Sequence, residues 1–416
     1  MLTVPEAVAE ITRGIEPRAG ERVALLDALG SVLATPAIAP YTLPQWDNSA
    51  MDGYAVRAAD IENATAERPI VLPVLETVAA GAFATRSAGA GEAMRIMTGA
   101  PIPDGADTVV RVEDTDGGRE RVSIRNARDA RKNIRPRGED FQKGAVVIAA
   151  GTPLAAAQLG VLASLGYGEV EVHRHPVVAI AGSGDELVDL DRFAEVVAGR
   201  KIVASNRYTL DALVRQAGGI PRHLGNAADT PDSLRAVLER GRGCDLLITS
   251  AGASVGEFDY TRQVLESLGA ELRFWRVRMR PGAPLGFGTL DGMPWIGLPG
   301  NPVSAMVTFE LFARPVIRRM LGHTRLFRRP LSAVLEEPVS IGARLMHFLR
   351  AVTRVRDDGV LTARLTGPQG SGILTSMSQA NALLVVPEDR PRVETGERLN
   401  VLPLSEEAQL AEAFAL

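Results

Sequence analysis

The residues best suited to chemistry lie in loops that follow short apolar runs. After the run 177–180 (VVAI) comes Ala181-Gly-Ser-Gly-Asp-Glu-Leu187. Its glycines, Gly184 among them, let backbone amides around Ser183 approach an anion, while Asp185 and Glu186 suit a divalent cation bridging phosphates. A turn with solvated acids explains the same residues equally well. After DLLI comes Thr249-Ser-Ala-Gly-Ala-Ser-Val-Gly-Glu-Phe-Asp259. Here Ser250, Ser254 and the amides near Gly252 and Gly256 suit a phosphate nest at a helix start. Glu257 and Asp259 add acids, and Asp259 also suits a helix N-cap. A loop of small residues this long, placed straight after a buried strand, favours a binding role over a plain turn. The third loop, Gly297-Leu-Pro-Gly-Asn-Pro-Val303, offers Asn301 as N-cap and Pro302 at the first helical position. Capping does not account for Gly300 between Pro299 and Pro302, which favours a loop shaped for a ligand.

Between the second and third loops, Arg276, Arg278 and Arg280 alternate with apolar residues and so share one face of a strand. Three guanidinium groups on one side can clamp a phosphate or another oxyanion, or simply form an exposed charged face. Earlier in the chain, PQWDNSAMDGY gathers Asp47, Asn48, Ser49 and Asp52, and MTGAPIP places Thr98 before a Gly/Pro turn. Taken alone, both segments read first as turns.

The elements that must position these groups belong to a chain of 416 residues, enough for roughly two to four domains. A formal net charge of −4 argues against a general nucleic-acid binder. The start has no basic segment leading into an apolar one, and no apolar run approaches a membrane span, so the chain reads as cytoplasmic. A single cysteine, Cys244, excludes a disulfide framework and a Cys-rich zinc site. The histidines show no metal-ligand spacing. Metal chemistry must therefore rest on carboxylates, which suit Mg²⁺.

Thr3 and Glu6 form a capping-box pattern ahead of Val4, Val8, Ile11 and Ile15, which recur at helical spacing over residues 4–15. From about 45 to 145, runs such as 70–75, 94–97, 109–112 and 122–124 alternate with turns, giving a small β module. Residues 154–165 return to a helical pattern, so the module reads as an insertion between helical flanks. From about 173 to 325 the order strand, loop, helix repeats, with strands at 176–181, 245–249 and 295–298. That alternation predicts a parallel α/β sheet with ligands at the carboxyl ends of its strands. Pro315 is expected to kink or end the last helix. Beyond 327, the runs 352–355, 361–365 and 382–386 predict a terminal β domain.

Together these segments closely resemble the molybdopterin molybdenumtransferases, the bacterial MoeA proteins and the gephyrin E domain. The matching stretches are NSAMDGYAV, RIMTGAPIPDGADTVV, NIRPRGEDF, SGDEL, SAGASVGEFDY, MRPGAP, GLPGNPVSA and QGSGILTSMSQAN, in order from residue 48 to residue 381. Any one is weak, but so many in order are specific. The resemblance implies a multidomain α/β and β architecture. A discontinuous linker domain takes 1–44 plus 141–172 and an inserted β-rich domain takes 45–140. A MogA-like α/β molybdopterin-binding domain with a parallel-rich sheet takes 173–326, and a C-terminal β domain takes 327–416. It also implies a homodimer and a Mg²⁺-dependent reaction in which adenylylated molybdopterin is cleaved, AMP leaves and the dithiolene captures molybdate. Transient contact with a MogA-type adenylyltransferase and with downstream cofactor-handling proteins is implied as well.

Carried over residue by residue, Glu186 and Asp259 match acidic positions associated with Mg²⁺, and Asp229 matches another acid. Ser250, Gly252 and Ser254 match positions that cradle phosphate or pterin, with Ser183, Gly184, Asp185, Arg276, Arg280, Pro299 and Asn301 around them. Asp52 and Thr98 match functional positions of the inserted domain, which the family brings to the partner subunit's α/β crevice. Arg350 and Ser371 match polar contacts from the terminal domain. The chain departs from many relatives in carrying arginine for lysine at Arg276 and Arg280, and Ala283 where they have a cation. It also has SAGAS in place of the commoner SGGVS, which narrows backbone freedom at Ala251. Two rival readings are a MogA-type adenylyltransferase and a non-catalytic scaffold. The extra domains with DGYAV and MTGAP count against the first, and the retained Asp52, Thr98, Glu186 and Asp259 against the second.

Overall fold

The apolar runs that precede the three loops become the centre of one six-stranded sheet. In the computed structural model, which describes residues 1–251 and 257–405, its strands are β1 (Val177–Ser183), β2 (Ile220–Ala227), β3 (Leu246–Ala251), β4 (Glu271–Arg276), β5 (Pro284–Leu290) and β6 (Met293–Pro299). They lie in the order β2-β1-β3-β6-β5-β4. The first four are parallel to their neighbours, and β5 and β4 complete the sheet antiparallel. Parallel neighbours need crossovers, and these are α1 (Ser205–Gln216) and α2 (Pro231–Glu239). α3 (Glu257–Ser267) leads from β3 to the antiparallel strands, and α4 (Pro302–Thr308) follows β6. Side chains at alternate positions go to opposite faces. Val178, Ile180, Ile248 and Ile296 pack with Leu210, Val214, Val303 and Val307. Ala179, Leu247 and Trp295 pack with Leu234, Leu238 and Leu265. The strands are therefore buried on both sides, which is why they read as unbroken apolar runs.

The start of this sheet is tied by one carboxylate. Asp245, 8% exposed, accepts hydrogen bonds from the backbone N–H of Val177 at 2.8 Å and from both terminal nitrogens of Arg174 at 2.6 and 2.7 Å. Burial pushes its carboxyl up, but Arg174, the Val177 N–H and Arg18 outweigh that and hold it below its ordinary value.

Helix α4 continues through a π-helical turn, Phe309–Ala313, into Arg314–Met320. Pro315 thus does not end the helix. The hydrogen-bond ladder widens just upstream of the residue that lacks an N–H. At the amino terminus, Val4–Thr12 is helical behind the expected capping box, with Thr3 Oγ1 accepting from Glu6 N at 3.4 Å and Glu6 Oε2 from Thr3 N at 2.8 Å. It stops short of Ile15, yet Ala7, Ile11 and Ile15 all reach the α/β core.

Beyond residue 327 the expected β domain is a closed ring. Met346–Val355 pairs with Leu361–Leu365, then Leu331–Leu335, Arg398–Pro403 and Ala382–Val386, which pairs back to Met346–Val355. Closure leaves this barrel without free edges. The arginine segment does not form the single strand expected for it. Arg276 ends β4, whereas Met279–Arg280 pairs in parallel with Met346 and His347 of the barrel. Arg276 and Arg280 are exposed and alternate with buried Val277 and Met279, but Arg278 is spent on Glu388 at 2.8 Å.

Arg350, expected as a substrate contact, is instead completely buried. Its Nε donates to Ser376 Oγ at 3.0 Å, Nη1 to Gln369 O at 3.2 Å and Nη2 to Gly370 O at 2.9 Å. Burial lowers its pKa. The guanidinium faces the loop that carries Ser371, so its donors hold that loop's carbonyls.

The described residues fall into two compact units. Residues 1–23 and 30–34 pack with the described residues of 171–405, and residues 24–29 and 35–170, which include the expected inserted module, form the other. The second unit holds a five-stranded sheet in the order Thr108–Arg111, Gly53–Val56, Ala93–Ile96, Ile70–Val78, Arg121–Ile124. It also contains the helix Ala156–Ser164. Among the described residues no helix is long and apolar enough to cross a membrane.

Two outcomes follow from the buried charges. Because the Asp245 carboxyl sits below its ordinary value, its stabilisation is complete above roughly pH 4 and is lost as pH falls through the folded value. Asp245→Asn is expected to cost on the order of 2–3 kcal/mol at neutral pH, the low end for a buried pair because Arg174 is partly solvated, and to flatten the acid limb of urea-measured stability. Arg350→Met leaves the carbonyls of Gln369 and Gly370 without a donor. It is expected to cost about 2–4 kcal/mol and to speed amide exchange in 367–371, read by hydrogen-exchange mass spectrometry.

Candidate active site

Parallel strands end together, and here three of them bring the predicted loops side by side. Gly182 of β1 pairs with Ser250 of β3, and Ser250 with Leu298 of β6. A cleft opens at these carboxyl ends, lined by Ser183, Glu186, Asn206, His223, Asn226 and Ser250, with Asn301 at the start of α4. This is where an open α/β sheet binds ligands.

The β1 loop is shaped by glycines at two points. A side chain at Gly182 would bring its Cβ to 2.3 Å from Asn226 Oδ1, and Gly184 has φ of +139°, a conformation that favours glycine. Beyond it, Asp185 and Asp229 lock their loops reciprocally: Asp185 N donates to Asp229 Oδ2 at 3.2 Å and Asp229 N to Asp185 Oδ1 at 3.1 Å. Lys201 Nζ donates to the Asp185 carbonyl at 2.5 Å. Both aspartates are therefore engaged in positioning. Glu186 differs, because its exposed carboxylate lines the cleft and has no protein partner among the described residues.

Ser250, 6% exposed, accepts from Asn206 Nδ2 at 2.7 Å and donates to the Pro299 carbonyl at 3.4 Å. The same amide donates to Gly300 O at 2.7 Å, so one side chain of α1 ties β3 to the turn before α4. That turn is shorter than the sequence suggests, because β6 runs to Pro299. Asn301 occupies the N-cap position but makes no side-chain capping bond, which leaves its amide exposed at the cleft. Gly252 and Ser254 lie outside the described residues. Asp259 is described as a backbone position only: α3 begins at Glu257, so Asp259 is inside the first turn and is not the N-cap.

In the other unit, Asp52 and Thr98 come together. Asp52 Oδ1 accepts from Thr98 N at 2.7 Å and from Thr98 Oγ1 at 2.8 Å. These two bonds, with Arg95 nearby, hold the exposed carboxyl below its ordinary value, which favours its ionised form. Gly53 follows because a Cβ there would lie 1.9 Å from Val110 O. The Asp-Gly pair thus joins that carboxylate to a close strand approach.

Arg276, Arg280, Arg350 and Ser371 do not line the cleft. Ser371 touches its rim through the backbone, accepting from Val303 N of α4 at 3.2 Å. Sequence reasoning missed Asn206, Asn226, Lys201 and the place of His223. Ser205-Asn206 after an apolar run looks like a helix cap, and nothing local shows that the Asn206 amide turns across the sheet. Taken together, the cleft offers neutral hydrogen-bonding groups and the guanidinium of Arg207, which pairs with Asp189, on an apolar floor, with one uncommitted carboxylate among the described residues.

Three family models match consecutive parts of the chain: MoeA N-terminal region (domain I and II) over residues 2–166, probable molybdopterin binding domain over 179–319, and MoeA C-terminal region (domain IV) over 332–404. A molybdopterin molybdenumtransferase of Nostoc sp. is 38% identical over 92% of this chain and 88% of its own. One from Bacillus subtilis is 36% identical over 98% and 95%. The crystal structure of a molybdopterin biosynthesis MoeA protein from Pyrococcus horikoshii matches with a TM-score of 0.84 at 29% identity, covering 97% of this chain and 100% of that one. With near-complete coverage in both directions, the chain belongs to the molybdopterin molybdenumtransferase family.

Proposed function

We propose that the chain cleaves adenylylated molybdopterin, releases AMP and inserts molybdate into the dithiolene to give molybdenum cofactor. The observation that carries this reading is the strand-end cleft of a family member in which Glu186 stands uncommitted beside a glycine-shaped turn. Amides around Ser183 and Gly184 suit phosphate oxygens, and Ser250, Asn206 and Asn301 suit the polar edges of the substrate. The pterin supplies the sulfur ligands, in keeping with a chain whose one cysteine, Cys244, is buried.

Magnesium belongs to the same reading. Among the described residues no three acidic, histidine or cysteine side chains come together as a ligand set. Mg²⁺ does not require one, since it takes one or two carboxylates and completes its shell with water and substrate phosphates. Glu186, free of protein partners, fits the first, and Asp259 in the first turn of α3 is proposed as the second. Bound there, the ion would neutralise charge on the breaking pyrophosphate. Arg276 and Arg280 are exposed cations proposed to attract the phosphates or molybdate, and Arg350 and Ser371 act through the loop they hold.

We extend the proposal to a homodimer, in which Asp52 and Thr98 of one copy serve the cleft of the other as an ionised acceptor held in place. The four-domain division inferred from the sequence goes with it. So does action in the cytoplasm, with substrate from a MogA-type adenylyltransferase and product passed to downstream cofactor-handling proteins.

Purified protein given adenylylated molybdopterin, Mg²⁺ and molybdate is expected to release AMP. Glu186→Gln is expected to slow release by about a hundredfold or more at unchanged thermal stability; wild-type rates in that variant would overturn the assignment. Mixing Asp52→Ala with Glu186→Gln after co-expression is expected to restore roughly a quarter of the wild-type sites, since heterodimers each keep one intact cleft. No restoration would count against shared sites.

A further inference from the structure

Resting on that function, we propose that His223, oriented by Asp211, is a recognition residue for the amino-bearing heteroaromatic ring of the substrate. His223 lies on β2 beside Ile180, just before a bulge that follows it in the strand, and lines the strand-end cleft. Its Nε2 is 2.7 Å from Asp211 Oδ1 in α1. That carboxylate is fixed from its other side by Arg215 Nε at 2.7 Å, and Arg215 and His223 together hold it ionised. In the neutral imidazole, an ionised aspartate at Nε2 selects the tautomer that carries its proton there, leaving Nδ1 as a lone-pair acceptor. No protein group among the described residues meets Nδ1.

Three of the other four histidines show what a structural role looks like in this chain. His173, His175 and His347 each place Nδ1 on a backbone carbonyl, at 2.7, 2.6 and 2.7 Å. His223 alone pairs with a carboxylate at a cleft wall among the described histidine contacts, and its second nitrogen is unspent. Around it the wall is apolar, with Ile180, Leu210 and Pro302, while Asn206 and Ser250 bring polar groups nearby. An apolar floor with a directed acceptor at its edge fits a flat heterocycle that donates from a ring or exocyclic N–H. Both halves of an adenylylated pterin carry such a donor, so the cleft chemistry is shared by pterin and adenine.

The test measures binding of a hydroxymethyl pterin and of AMP separately, by fluorescence and calorimetry, to wild type, His223→Leu and Asp211→Asn. Loss of the acceptor is expected to weaken the ligand that occupies this wall by about tenfold, leaving the other unchanged. Asp211→Asn keeps the shape of the side chain but releases the tautomer, and is expected to weaken the same ligand. Ring ¹⁵N shifts of His223 are expected to show protonated Nε2 in the free protein and a perturbed Nδ1 on binding. A plain helix–strand tie would move stability without moving Nδ1. Unchanged affinities for both ligands in His223→Leu, with wild-type protein still releasing AMP, overturn the recognition role alone. Failure of wild type to release AMP strikes the functional reading, while the two affinities still decide the role of His223.

Discussion

Strands buried on both faces leave the backbone free only at their ends, and the architecture of the α/β layer follows from that constraint. At one end the chain enters β1 and β3 together, and Asp245 satisfies Val177 N–H while Arg174 meets its charge. At the other end the strands must release their chains into loops, so the unpaired groups of β1, β3 and β6 appear in one place. The cleft is thus the reverse side of a packing requirement. Its polar lining comes from Ser250 and Asn206, which bond each other and the carbonyls of Pro299 and Gly300, so much of the site is already rigid without a ligand.

Much of this was legible in the sequence because it depends on local chemistry. Unbroken apolar runs predicted the central strands, Thr3 and Glu6 predicted the capped helix, and the small-residue loops marked where strands end. That the loops of Glu186, Ser250 and Asn301 share one end of the sheet followed from the alternation of strand, loop and helix. Asp52 and Thr98, each unremarkable as a turn residue, gained meaning only through resemblance, and the structure brings them within 2.8 Å of each other.

What was not legible depends on direction in space. Asp185 and Glu186 are neighbours with the same chemistry, yet one is locked to Asp229 and the other is free, a difference set by a loop more than forty residues away in the chain. Arg350 and Arg280 are both arginines near strands. One is buried under the carbonyls of 368–370, on the face of its strand opposite the barrel core that Leu349 and Ala351 fill, and the other is exposed; alternation cannot say which outer face a loop will cover. Arg276 to Arg280 looked like one strand because the pattern alternates, but a strand may leave one sheet for another without any change of pattern.

The π-helical turn at Phe309–Ala313 carries a consequence for how this protein can change in length. A turn holding an extra residue rotates everything beyond it by about 100° relative to a regular helix. Val303 and Val307 before it, and Val316, Ile317 and Met320 after it, are all buried against the same core. A single-residue deletion within 309–313 is therefore absorbed by reverting to ordinary winding, because losing the extra residue and losing the widened turn cancel and leave both apolar stripes on the core. Elsewhere in this helix a one-residue change turns the stripe beyond it off the core, so changes in its residue count should be confined to this turn even where its amino acids drift.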